Sequence, residues 1–153
     1  MAARLGELLI SRGVCTAEDV ANALTARGPG ERIGEVLVRL GCATTKDVAR
    51  ALAEQTGLRL ADLPAMSPGD PVLQLVPSRF VFKARVIPVR EEEGRLEVAT
   101  DDPFAVSELD ELRLLTGLDV VPVLAPKDEL DEAIARLYGV GADAHDRAAE
   151  EGV

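Results

Sequence analysis

The stretch from Arg4 to Gly13, Arg-Leu-Gly-Glu-Leu-Leu-Ile-Ser-Arg-Gly, recurs between Arg32 and Gly41 as Arg-Ile-Gly-Glu-Val-Leu-Val-Arg-Leu-Gly. The match continues without a gap beyond both stretches, so that Ala23-Leu24 recurs as Ala51-Leu52. Self-similarity at a fixed spacing is the sequence signature of a structural repeat. The first third of the chain is therefore predicted to contain two copies of one structural unit.

Each copy has the pattern of two short helices. In the first copy, the apolar residues between Leu5 and Leu9 have helical spacing, and Gly13 is typical of a helix C-terminus. Thr16, followed three residues later by Asp19, is typical of a capping box that begins a second helix. The turn-forming segment Gly28-Pro29-Gly30 separates the copies. Four short helices are expected.

The pattern changes after the repeat. Short β-rich runs predict three strands, at Val86-Ile87-Pro88-Val89, Leu96-Glu97-Val98-Ala99 and residues 119–124, and helical patterns cover about residues 78–85, 106–115 and 126–139. The predicted fold class is α+β, with an N-terminal bundle of four short helices at 1–58. A small α/β unit with a three-stranded sheet follows at 59–140, and 141–153 is predicted to be a flexible tail.

Charge and composition exclude several classes of partner. The 153 residues carry a net charge of −10, but residues 1–60 hold eight basic and seven acidic side chains, so the excess of acid lies in the second part. The acidic second part of the chain is expected to repel nucleic acid polymers and anionic lipid. The first part, which is nearly neutral, could hold a small phosphate ligand. Cys15 and Cys42 fit neither a zinc pattern nor a disulfide framework and are expected to be buried free thiols. No signal peptide or membrane-length apolar run occurs, so a cytoplasmic location without membrane insertion is expected.

Residues that could support catalysis are scarce. His145 is the only histidine and lies in the predicted tail, so no nucleophile–base triad can be assembled. Asp101-Asp102 could suggest a metal site, but an Asp before Pro103 is more typical of a helix start. Glu91-Glu92-Glu93 is typical of a solvated hairpin tip. We therefore expect no enzyme activity, no metal and no cofactor.

The two Arg-x-Gly heads of the repeat allow two interpretations. An Arg at the first turn of a helix opposes the macrodipole, and a Gly inside a helix costs about 1 kcal/mol relative to Ala. A ligand site that needs a guanidinium and a close backbone approach would explain both features. Alternatively, Gly6 and Gly34 permit tight helix crossing, and Arg4 and Arg32 pair with glutamates.

The doubled pattern, with its closing apolar-x-x-Ala-Leu-x-x-Gln in the second copy, resembles the cyclic-di-GMP-binding repeat of the MshEN domain. That domain is the N-terminal part of many type IV pilus assembly and type II secretion ATPases. Further segments follow in the order of that family: Val76-Pro77, Ile87-Pro88-Val89, Leu96-x-Val-Ala, Asp102-Pro103 and Leu115-Thr-Gly-Leu-x-Val. The resemblance covers about residues 4 to 139.

The resemblance implies a regulatory module in which each copy binds one half of cyclic-di-GMP, with no catalytic portion. Position by position, it implies these ligand-binding residues: Arg4, Leu5, Gly6, Val20, Leu24, Arg27, Arg32, Ile33, Gly34, Glu35, Val48, Leu52 and Gln55. Arg27 stands where the family has Gln. The implied protein partners are a secretion or pilus ATPase or an inner-membrane platform protein. An adaptor with the same fold and a degenerate ligand site is the alternative.

Overall fold

The computed structural model describes residues 4–139 of the chain. The chain divides into two compact units, Met1–Leu60 and Ala61–Val153. Each unit has its own cluster of buried apolar residues. The predicted tail at 141–153, with His145, lies outside the described residues. The predicted α+β class is confirmed, with helices alone in the first unit and a small sheet in the second.

The first unit contains four helices in two pairs, as the repeat predicts: α1 (Leu5–Ser11), α2 (Ala17–Ala26), α3 (Ile33–Arg39) and α4 (Thr45–Thr56). Helix α1 packs against α4, and α2 packs against α3. Exchanging the two copies converts one of these pairs into the other, so the copies pack in an equivalent way. Their shared core contains Leu9, Ala23, Val36, Leu37 and Ala51.

A capping box begins the second helix of each copy, as the Thr-x-x-Asp pattern predicts. Thr16 Oγ1 accepts a hydrogen bond from Asp19 N at 3.0 Å, and Asp19 Oδ2 accepts one from Thr16 N at 2.9 Å. Thr44 and Asp47 repeat both bonds at 3.0 Å. Donation from the threonine backbone N–H, followed by the threonine side chain, lowers the pKa of both aspartates. Donors that would otherwise lack partners at these helix starts are thereby satisfied.

Replacing Thr44 with alanine should lower the stability of the protein by about 1 kcal/mol, because the cap of α4 is lost. Urea denaturation of the whole chain, followed by circular dichroism, measures the change. Thr44→Ser keeps the acceptor and should retain most of the stability. Thr25→Ala is the control, because Thr25 lies inside α2 and its Oγ1 donates to the carbonyl of Ala21 in its own helix. An equal loss in Thr25→Ala would contradict the capping role.

The Thr44 effect should also depend on pH. A carboxyl group whose pKa is lowered in the folded state stabilises that state above its unfolded pKa. This contribution disappears as the pH falls through the folded pKa. Thr44→Ala keeps the backbone N–H and removes the threonine side chain, the second cause of the lowered Asp47 pKa. The difference between wild type and Thr44→Ala should therefore be largest near neutral pH and smaller in acid, and a constant difference would argue against this contribution of the Thr44 side chain.

The second unit contains three strands and three helices: α5 (Ser78–Ala84), β1 (Ile87–Glu92), β2 (Arg95–Thr100), α6 (Val106–Thr116), β3 (Asp119–Leu124) and α7 (Lys127–Leu137). Two short 3₁₀ helices, at Leu63–Ala65 and Pro71–Leu75, precede them. The strand order is β1-β2-β3, with β1 and β2 antiparallel and β2 and β3 parallel. Apolar residues from the sheet, from α5 to α7 and from the 3₁₀ helices form the core of this unit.

The β1–β2 hairpin is longer and its turn is tighter than the acidic run predicted. Glu91 and Glu92 belong to β1 and pair with Leu96 and Arg95. Only Glu93 and Gly94 form the turn, and both have positive φ, 52° and 79°. A two-residue turn with two positive φ values matches the twist of the strands it joins. All three glutamates are exposed at this end of the hairpin, as predicted, but only Glu93 lies in the turn, because cross-strand pairing extends to Glu92.

The Asp101-Asp102 pair has a different role from the predicted helix start. Asp101 Oδ2 accepts a hydrogen bond from Arg85 Nη1 at 2.9 Å, and Arg85 Nε donates to Asp131 Oδ1 at 3.1 Å. Asp102 Oδ1 accepts from Phe104 N in a tight turn, and α6 begins later without a side-chain cap. The aspartates therefore fix the end of β2. The long-range partner Arg85 has no local sequence signal.

Candidate functional site

Both repeat glycines are buried at contacts between helices. A Cβ atom added to Gly6 would lie 3.0 Å from Val20 Cγ1, and one added to Gly34 would lie 2.8 Å from Val48 Cγ1. The Gly34 position would also bring the added atom within 3.1 Å of Leu5 Cδ2. The structure therefore brings Leu5 of the first copy onto the head of the second. Close helix packing accounts for both glycines.

The two head arginines occupy equivalent positions. Arg4 is the N-cap residue of α1 and Arg32 that of α3, and both have extended backbone with no side-chain cap bond. Arg32 Nε donates to Glu35 Oε1 at 2.7 Å, and both side chains are about one third exposed. Arg4 is exposed. The glutamate pairing considered for the heads is thus present at Arg32, while the guanidiniums of both copies can reach solvent.

The apolar positions of the two copies differ in exposure. Leu24 is 56% exposed, whereas its repeat equivalent Leu52 is 7% exposed. Val20, Val48 and Ile33 are half-buried. At this repeat position, therefore, the leucine of the first copy is open to solvent and that of the second is not.

The linker between the copies is an ordered turn. Glu31 N donates to Gly28 O at 3.1 Å, and Gly30 has a φ of +76°. Arg27, the C-cap of α2, and Arg32 lie on the two sides of this turn, and both have extended backbone. Gln55, by contrast, is a half-buried residue near the end of α4. The sequence indicated the turn but not the side chains that hold it.

An ion pair holds this turn from the end of α3. Glu31 Oε1 accepts from Gly28 N at 2.7 Å and from Arg39 Nη2 at 3.0 Å, and Glu31 Oε2 accepts from Arg39 Nε at 3.2 Å. Arg39 Nη2 also donates to Ala26 O, the last carbonyl of α2, at 3.1 Å. The Arg39 side chain, followed by the Gly28 N–H, lowers the pKa of Glu31. Neither residue was predicted to belong to the site.

The two cysteines are free thiols, but only Cys15 is buried. Its Sγ lies 3.5 Å from the carbonyl oxygen of Cys42, and burial is the main cause that raises its pKa. Cys42 is half-buried, which differs from the prediction, because it lies in the turn before α4 rather than in the core. Among residues 4–139, no group of three His, Cys, Asp or Glu side chains could hold a metal ion.

The part of the chain that the structure describes has no helix with both the length and the apolar character needed to span a bilayer. Its helices are short, and the longest, α4, has twelve residues.

The helical repeat joined to a small α/β unit defines a class of domain known from secretion and pilus ATPases. The family model of the MshEN domain matches residues 56–144 of this chain. The chain therefore belongs to the MshEN domain family, which confirms the resemblance in the sequence. The matched residues include the α/β unit and begin at the end of α4, so the match itself does not include the heads of the repeat.

Two curated relatives extend the comparison. The type IV pilus assembly ATPase PilB of Myxococcus xanthus is 31% identical over 139 residues, which are 90% of this chain and 25% of that protein. The type II secretion system protein E of Xanthomonas campestris pv. campestris is 35% identical over 98 residues, which are 60% of this chain and 17% of that protein. The chain thus spans a quarter or less of the length of both relatives.

Two solved structures match the fold. The structure of MshE with cdg (cyclic-di-GMP) has a TM-score of 0.75 and 25% identity, covering 89% of this chain and 99% of that one. The N-terminal domain of XpsE has a TM-score of 0.72 and 30% identity, covering 91% of this chain and 100% of that one. Because Ala61–Val153 is less than two thirds of the chain, both matches must include residues of the helical repeat.

Proposed function

We propose that this chain is a non-catalytic regulatory module that binds cyclic-di-GMP through its helical repeat and controls a type IV pilus or type II secretion machine. The observation that carries the proposal is the equivalent placement of two Arg-x-Gly heads in a chain that matches MshE with cdg over 89% of its length. Its match to the N-terminal domain of XpsE supports a role without catalysis. Free thiols at Cys15 and Cys42 fit a reducing cytoplasm.

The two negatively charged phosphodiesters of the proposed ligand are complementary to the two head arginines, Arg4 and Arg32. Cyclic-di-GMP has two phosphodiesters and two guanines, and its halves are equivalent, as are the two copies of the repeat. An arginine can bind a phosphate, or the O6 and N7 atoms of guanine, with two hydrogen bonds. In this proposal Arg4 and Arg32 each bind one half of the ligand, and Glu35 accepts from a guanine or continues to orient Arg32.

The apolar residues and the ends of the helices complete the proposed site. Leu24 is exposed and offers a surface against which a base can lie. Val20 lies against Gly6, and Val48 and Leu5 lie against Gly34. In this proposal Ile33 and Leu52 add further apolar surface. Gln55 offers amide groups that can pair with a base edge. Arg27 lacks an acceptor at the position where the family has Gln, so its proposed contact is with a phosphate rather than with a base edge.

The second candidate function is a protein-interaction adaptor of the same fold that does not bind the dinucleotide. Two observations favour it: Gly6 and Gly34 are accounted for by helix packing, and Arg32 already pairs with Glu35. In that case the proposed partner is the ATPase or an inner-membrane platform protein, and the heads bind no ligand.

Calorimetric titration of the protein with cyclic-di-GMP separates the two functions. Wild type is expected to bind at micromolar or lower ligand concentration. Arg32→Ala should weaken binding by about tenfold, because a charge-assisted hydrogen bond contributes about 1.5–3 kcal/mol. Arg12→Ala is the matched control, since Arg12 pairs with Glu54 at 2.6 Å in the same unit but is not a proposed ligand residue.

The titration has clear contrary outcomes. The absence of both binding heat and a thermal shift at tens of micromolar ligand would contradict the cyclic-di-GMP proposal and favour the adaptor function. Equal weakening by Arg32→Ala and Arg12→Ala would show that binding depends on overall charge rather than on the head arginine.

A further inference from the structure

The exposed Arg39–Glu31 pair also makes hydrogen bonds to two backbone groups. The Arg39 and Glu31 side chains are 49% and 28% exposed, and exposed ion pairs usually contribute little to stability. Here, however, one carboxylate accepts from both the Arg39 fork and the Gly28 N–H, and the same guanidinium also binds the last carbonyl of α2. The pair therefore connects three backbone segments: the end of α2, the linker and the end of α3.

This connection restricts the conformation of the linker between the copies. The Gly28–Glu31 turn requires the positive φ of Gly30, and such glycine-rich segments have many alternative conformations when nothing holds them. The turn brings together the backbone that carries Arg27 and the backbone that carries Arg32. Both arginines belong to the proposed ligand site, so the conformation of the linker sets the separation of the two cations.

The pair is specific to the junction and is not a consequence of duplication. In the repeat register, the equivalents of Glu31 and Arg39 are Ala3 and Ser11, which cannot form an ion pair. Ser11 Oγ instead donates to Leu8 O in its own helix. The heads, the glycines and the capping boxes occur in both copies, whereas this pair occurs only where the chain passes from one copy to the other.

We infer that Arg39 and Glu31 are positioning residues that hold the inter-copy linker so that Arg27 and Arg32 face one ligand together. The inference rests on the proposed binding of cyclic-di-GMP and adds two residues, outside the proposed ligand contacts, that set the affinity of the site. A linker held in the binding conformation reduces the entropy that is lost when the ligand binds. Its main effect is therefore on affinity rather than on folding.

Calorimetric titration of Arg39→Ala with cyclic-di-GMP tests the inference. We expect binding three- to fivefold weaker than wild type with an unchanged melting temperature. Arg39→Lys keeps the charge but not the fork, so its affinity should lie between the two. Amide hydrogen exchange of the unliganded protein should show that Gly28, whose N–H bonds to Glu31, exchanges faster in Arg39→Ala, while α2 and α3 are unaffected.

Arg12→Ala is again the matched control, because it breaks another exposed Arg–Glu pair of the same unit away from the linker. Weakening in Arg39→Ala but not in Arg12→Ala supports the positioning role. Wild-type affinity in Arg39→Ala, with wild type itself binding normally, overturns the inference and leaves the proposed function standing. Absence of binding in wild type overturns the proposed function and the positioning role together.

Discussion

Replacing Arg4 and Arg32 together with alanine is expected to weaken cyclic-di-GMP binding at least 100-fold without lowering the stability of the protein. Each proposed contact is a charge-assisted hydrogen bond, which contributes about 1.5–3 kcal/mol. The loss of two such contacts adds up to at least about 3 kcal/mol, and every 1.4 kcal/mol changes affinity about tenfold. Calorimetric titration at fixed salt concentration measures the change.

Stability should be preserved because neither arginine contributes to the helix starts it occupies. Arg4 and Arg32 are N-cap residues without side-chain cap bonds, and a cation at a helix N-terminus opposes the macrodipole. The Arg32–Glu35 pair is partly exposed and should contribute little. The melting temperature of the double variant should therefore equal or slightly exceed that of wild type.

The matched control removes the same number of positive charges elsewhere in the unit. Arg12→Ala/Arg50→Ala has the same net charge as the Arg4/Arg32 variant, and both replaced side chains are exposed. Wild-type affinity in this control would assign the loss to the heads. A double Arg4/Arg32 variant that still binds like wild type would contradict the site and favour the adaptor.

The fold could largely be predicted from the sequence because its signals are local. The capping boxes at Thr16 and Thr44 and the glycines after α1 and α3 depend on residues within one turn of each other. The duplication then gave two independent observations of each signal. The third strand has its predicted bounds, but the first two were predicted too short, since Glu91 and Glu92 are held in β1 by cross-strand pairs that no local pattern encodes.

The candidate site was less predictable because it depends on contacts between segments. Leu24 and Leu52 are equivalent in the repeat, yet one is exposed and the other buried. Duplication repeats the local structure of each copy, but it does not repeat the segments around each copy. One such difference is the length of the second helix: α2 ends at Ala26, whereas α4 continues to Thr56, beyond the equivalent position. The Arg39–Glu31 pair was missed for a related reason, since it joins a linker to the end of a helix.

Gly34→Val is expected to lower the stability of the protein by about 3 kcal/mol, at the upper end of what overpacking usually costs. Its first added carbon alone would lie 2.8 Å from Val48 Cγ1 and 3.1 Å from Leu5 Cδ2. Gly6→Val is the matched control, because the three atoms nearest to its added Cβ all belong to Val20, the closest at 3.0 Å, and its loss should be smaller. Urea denaturation, with hydrogen exchange of the α3 and α4 amides, measures both.

Combining Gly34→Val with Val48→Ala separates the packing role of Gly34 from a ligand role. The combination adds the three side-chain carbons of valine at position 34 and removes two from Val48, so the contact gains one carbon net, and exchanges that nearly conserve volume usually cost less than about 1.5 kcal/mol. Most of the stability should therefore return. Cyclic-di-GMP binding should stay at least about tenfold weaker than in Val48→Ala alone, the reference because Val48 is itself a proposed ligand residue, since the added side chain lies two residues from Arg32, where the proposed ligand approaches the backbone. Recovery of binding together with stability would assign Gly34 to helix packing alone, and failure to recover stability would contradict the Val48 contact as the cause.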